Sequence, residues 1–89
     1  MNLPLRKKLE EVCRECGVPE DIIAQFMQQE WIHPIDNEHA MFDEEDIARI
    51  DLITELRNNL GVNDEAVPVI LHLIDQLNFI HRKLRDFES

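Results

Sequence analysis

Eighty-nine residues at 44% apolar content suffice for one modest core, close to the size at which a single domain becomes marginal. The formal net charge of −10 is uneven: residues 1–8 sum to +3, residues 9–80 to −14 and residues 81–89 to +1. A body so acidic is excluded from the classes that hold nucleic acid by neutralising phosphates with Lys and Arg, and its field favours encounter with a basic protein.

In chain order, Leu5, Leu9, Val12 and Cys16 recur at helical spacing and Gly17 is a natural stop. A first helix therefore ends at Cys16, starting either near Leu3 or nearer Leu9. Pro19 suits the first turn of a second helix, with Glu20 and Asp21 at its positive end and Ile22, Ile23, Phe26 and Met27 as its apolar side. Together they predict a helix-turn-helix over about 5–30. Residues 31–42 cannot sustain a helix, since Pro34 interrupts them and Asp36-Asn37 is a turn signal. They predict a small wing, with Ile32–Ile35 paired to Ala40–Phe42.

Asp43 is the expected cap of a third helix, about 43–60, whose buried stripe is Ile47, Ile50, Ile53, Leu56 and Leu60. After Gly61, Asn63 caps a fourth helix, about 63–87, with an irregular or kinked start at Pro68. Its stripe runs through Ile70, Leu73, Ile74, Leu77, Ile80, Leu84 and Phe87, longer than so small a body can cover. Leu77, Ile80, Leu84 and Phe87 are thus the expected face of a homodimer. The alternative folds this helix back over Leu5 and Leu9. The fold class is mainly α: one winged helix-turn-helix domain over 1–89 with about four helices, a tiny hairpin and a long C-terminal helix.

Acids dominate the middle of the chain, with eight between 36 and 55 against the single cation Arg49. Glu44, Asp51 and Glu55 fall at i, i+7 and i+11, opposite the isoleucines, and Asp36 and Glu38 extend them from the wing. The default for such a run is a solvated face. Trp31 is expected to pin the wing to the core; the competing role is an interface anchor. Cys13-x-x-Cys16 has no second CxxC and no βαβ surroundings, so the thiols read as small core hydrophobes rather than as metal ligands. The histidines 33, 39, 72 and 81 lack ligand spacing. Thr54 and Ser89 are the only hydroxyl residues, and Gly17 and Gly61 the only glycines. That leaves no hydroxyl nucleophile beside a base and no phosphate-cradling loop. The expectation is a non-enzyme without cofactor or metal. No apolar run approaches ~20 residues and no signal peptide opens the sequence, so it reads as cytoplasmic, without membrane contact.

LEEVCRECGV (9–18), W-I-x-P (31–34), FDEEDIARI (42–50), Leu56-Arg57 and LGVN (60–63), in this order and spacing, resemble the MerR-type winged helix from Leu9 to about Leu84. That family grips the DNA backbone with an Arg-Tyr pair in its second helix and an Arg in its wing. The matching positions here are Ala24, Gln25 and Ala40, while the structural aromatic is kept as Phe26. A narrower stretch, LRNNLGVNDEAVPVILHLIDQL (56–77), with Cys13 and the F-D-x-x-D start of the third helix, is similar to the CbpM chaperone-modulator family. Pro68 departs from it, standing where relatives have a helix former. The resemblance implies a non-catalytic inhibitor that binds the J-domain of a CbpA/DnaJ-like co-chaperone, whose basic helix also serves the DnaK-type chaperone. It makes Asp36, Glu38, Glu44, Asp51 and Glu55 the expected partner-binding residues, with no nucleic acid bound. The competing reading is a MerR-type DNA-binding transcription regulator, which needs a basic patch; only Arg6–Lys8 offers one. An unrelated protein-interaction adaptor is a third.

Overall fold

Helix α1 (Leu9–Cys16) begins where a strand ends. In the computed structural model, which describes residues 6–34, 36, 38, 39 and 41–88, Lys7–Lys8 form strand β1 and Lys8 is extended at the helix cap. Of the two expected starts, the one at Leu9 is correct; Leu3 and Leu5 lie outside the described residues. Gly17 ends the helix at φ +67°, a left-handed position that favours glycine, and its N–H donates to the Cys13 carbonyl. Pro19 stands one residue earlier than expected, as the cap of α2 (Glu20–Gln28) rather than in its first turn.

Helix α2 buries Ile23 and Phe26. Past its end Glu30 adopts φ +61°, a conformation costing about 1 kcal/mol or more in a non-glycine residue. The reversal lets the Trp31 N–H bond the Phe26 carbonyl at 3.0 Å and turns Trp31 and Ile32 into the core.

That inward turn changes the wing. Ile32 is 1% exposed and Pro34 has no N–H for a ladder, so the expected strand Ile32–Ile35 does not form over its described residues. Strand β2 (Met41–Phe42) pairs instead with β1, antiparallel, in the register Lys7–Phe42 and Lys8–Met41. Of the expected hairpin there is an isolated bridge from Asp36 to Met41; Ile35, Asn37 and Ala40 lie outside the described residues. The sheet therefore joins the front of α1 to the front of the third helix.

Helix α3 (Glu44–Thr54) opens on a capping box: the Asp46 N–H donates to Asp43 Oδ1 at 2.9 Å and the Asp43 N–H to Asp46 Oδ2 at 3.1 Å. Two of the four consecutive acids are thus the start signal of this helix. Ile50 and Ile53 are fully buried, but the stripe does not continue to Leu60. Residues Glu55–Asn59 wind as a π-helical turn, with the Leu60 N–H bonded to the Glu55 carbonyl five residues back. The wider turn keeps Leu56 inside and leaves Leu60 66% exposed.

Asn63 caps the next turn, its Oδ1 accepting the Ala66 N–H at 2.9 Å, and α4 (Val67–Glu88) starts only at Val67. Pro68 consequently lies in the first turn, where its missing N–H would have had no partner, and no kink is required. Val67 and Leu71 pack into the core, Ile70 and Ile74 are half-buried, and no side chain from 75 to 87 is buried. Helix α4 does not fold back over Leu9: Leu77 and Ile80 are each 53% exposed and Phe87 92%.

Arg49 locks this assembly. Its Nε donates to the Trp31 carbonyl at 2.7 Å, and its two terminal nitrogens clamp Asp75 at 2.8 and 3.3 Å. The guanidinium holds the Asp75 carboxyl below its ordinary range. One side chain thereby ties α3, α4 and the segment after α2.

Candidate functional site

Helix α1 packs beside α3, so their outward faces share one surface. On α3, Glu44, Asp51 and Glu55 are exposed, as the spacing required. Glu11 and Glu15 of α1 are exposed as well and crowd the same side chain that Glu44 faces, Lys7. Lys7 pairs with Glu15, and that hydrogen bond, with the charges of Glu15, Glu11 and Glu44, raises its pKa. One cation is set among three carboxylates. Asp51 lies near α1 at its other end, close enough for its carboxylate to raise the Cys16 thiol pKa.

The members contributed by α1 were missed in the sequence. Glu11 and Glu15 stand at i, i+4 on one side of that helix, which could have marked them as a charged stripe. Only the packing of α1 on α3 merges the two stripes.

The wing acids behave differently. Asp36 is half-buried, and both of its oxygens engage His39: Oδ1 accepts the backbone N–H at 3.1 Å and Oδ2 lies 2.9 Å from Nδ1. These bonds lower its pKa and close the wing turn. Glu38 is exposed beside it. Trp31 is 6% exposed and stacks on Phe26 at 5.6 Å between centroids, tilted by 38°, so it sits in the core and presents little surface to an incoming molecule.

Cations of the acidic body are largely turned inward. Arg49 is held by Asp75 and the Trp31 carbonyl. Arg57 pairs with Asp64 at 3.1 Å and lies 5.5 Å from the Phe26 ring centroid. Arg14 is exposed.

Both cysteines are free and half-buried. Burial first, then the hydrogen bond to Asp51, pushes the Cys16 thiol up to about 12; burial also raises Cys13, with Glu20 and Glu10 adding to it. A reactive or metal-binding cysteine needs the opposite shift. Among the described residues no group of three His, Cys, Asp or Glu side chains could hold a metal ion, and no helix is long and apolar enough to cross a membrane. Because the folded chain holds these thiol protons to higher pH than the unfolded chain, their contribution to stability is complete below about pH 8.5 and is lost as pH rises towards 12. The unfolding midpoint should fall above pH 9 more steeply in the native chain than in Cys16→Ala; parallel curves would contradict the assignment.

Residues 8–89 match the family model described as MerR HTH family regulatory protein. The chain belongs to this family. The match accounts for the winged helix-turn-helix and spans every element from α1 to the end of α4. A search of curated proteins found no match. Regulatory proteins of the MerR type are generally not enzymes. The α2 positions at which the sequence departs from the DNA-gripping pair, Ala24 and Gln25, are exposed; the wing position Ala40 lies outside the described residues.

Proposed function

We propose that this MerR-family chain is a non-catalytic modulator of a DnaJ-like co-chaperone: its acidic surface binds the basic helix of the J-domain and blocks productive engagement of the DnaK-type chaperone. The observation that carries the reading is the continuous exposure of Glu11, Glu15, Glu44, Asp51 and Glu55 over α1 and α3, while Arg49 and Arg57 are engaged inside the chain. Charges arranged in this way steer a basic partner and discriminate against phosphate. The resemblance of residues 56–77 to the CbpM family supplies the class of partner. Among the wing acids, Glu38 extends the surface; Asp36 contributes charge from a fixed turn.

Family membership favours the other reading, a DNA-binding regulator, and the two separate on Ala24, Gln25 and the charge. A J-domain and a DNA duplex, titrated side by side at low salt, distinguish them.

The reading includes a second copy of the chain on α4. Leu73, Leu77, Ile80, Leu84 and Phe87 recur at alternating spacings of four and three, the seam of a two-helix coiled contact, and each is more than half exposed. Sedimentation should give twice the 10.5 kDa chain mass, and Leu77→Glu with Leu84→Glu should return the monomer. A native chain sedimenting at 10.5 kDa at high concentration would contradict the pairing.

A further inference from the structure

The π-helical turn borders a cleft that the acidic surface leaves unused. Val18, Ile22 and Phe26 form its apolar walls, Thr54, Arg57 and Asn58 come from the end of α3 and the π turn, and the helix-turn-helix corner Gly17-Pro19 closes the remaining side. Its volume is about 140 Å³. A cavity of roughly 150 Å³ accepts one benzene, so this cleft takes one aliphatic side chain and nothing as large as a nucleotide. The Arg57 guanidinium pairs with Asp64 through Nε and lies over the Phe26 ring, and the Thr54 hydroxyl donates to the Ile50 carbonyl. An apolar occupant would therefore leave the Thr54 hydroxyl paired. At Gly17 a Cβ would meet nothing within 4 Å, so the rim is open there.

The charge at the entrance says what kind of molecule carries that side chain. Asp51 and Glu55 are exposed on α3, and Thr54, the neighbour of Glu55, lines the cleft, so the acidic stripe ends beside it. From the other helix, Cys16 lies within the influence of the Asp51 charge, and its neighbour Gly17 lines the rim. A π turn of this sort is frequent at functional sites.

We propose that this cleft is a pocket for a single aliphatic side chain projecting from a basic helix of the protein partner. It rests on the acidic-surface reading and gives that surface its anchor: the carboxylates set the approach of the helix, and the buried side chain sets its residence time.

The test uses the full chain, isotopically labelled, and two probes: a Lys-rich helical peptide with one central Leu, and its Leu→Ser counterpart. Both should shift the backbone signals of α3. Only the Leu peptide should shift Gly17, Val18, Ile22 and Thr54, and it should bind about tenfold tighter or more, the effect of burying one Leu. Asn58→Trp, an exposed change without charge that fills the entrance, should abolish the preference, while Gln28→Trp on the exposed end of α2 should keep it. Equal binding of the two peptides, or an Asn58→Trp chain that still prefers Leu, overturns the pocket. A native chain that ignores a J-domain yet selects the Leu peptide through these residues removes the co-chaperone reading and retains the pocket.

Discussion

Phe26→Ala is expected to destabilise the chain by roughly 3–5 kcal/mol, the range for emptying a core aromatic site. Phe26 is 1% exposed, and three independent groups use it: the Trp31 ring, the Arg57 guanidinium and the cleft beside the π turn. Removing it leaves Trp31 without its ring partner and Arg57 with Asp64 alone. A domain of this size has a total stability of roughly 5–15 kcal/mol, so the loss is a large fraction of the whole. Urea unfolding should show a much lower midpoint with an unchanged slope. A shift below about 1 kcal/mol would mean that Phe26 is not central to the core.

The second large effect is kinetic. Asp51→Lys with Glu55→Lys should slow association with a J-domain about tenfold or more at low salt, because steering by a field of one sign raises on-rates by factors of 10–10³. The difference should shrink as salt rises, since exposed charges are screened over ~8 Å at physiological ionic strength. Dissociation should change less. Glu55 is exposed and its carboxylate accepts from Asn59 Nδ2 at 2.6 Å on the same turn, so its reversal should leave the fold intact. Asp51 also lies beside the half-buried Cys16 thiol, so its reversal calls for a circular-dichroism control. Glu44 is a poorer probe, because its charge also favours the first turn of α3. Glu65→Lys, an exposed reversal in the turn before α4, should have a smaller effect on the rate. An unchanged association rate in an intact double variant would reduce the stripe to a solvated face.

Local chemistry made several features legible in the sequence. The Asp43 cap, the glycine stop at Gly17, the Ile50–Ile53 stripe and the exposed seam of α4 each arise from a few neighbouring residues. The features that could not be read depend on contacts between distant segments. Two lysines have little strand preference, yet Lys7–Lys8 pair because Met41–Phe42 offers an edge once Ile32 has turned into the core. The π turn leaves no periodic trace, since one wide turn shifts only the residues beyond it, and Leu60 was assigned to the wrong side for that reason. Acids on α3 were visible by spacing, whereas their continuation onto Glu11 and Glu15 required the packing of α1 on α3. Asp36 could have been recognised as a turn closer, because an Asp side chain at a turn signal commonly accepts a backbone N–H a few residues on, here that of His39.

The central claim is that a DNA-binding scaffold here presents acid to a basic protein. Its most direct test is one pair of titrations of the native chain at low salt, against a J-domain from a DnaJ-like co-chaperone and against a promoter duplex. The account predicts saturable J-domain binding that weakens as salt is added, and no retention of the duplex. Sequence-specific retention of the duplex, with no J-domain bound, would contradict it.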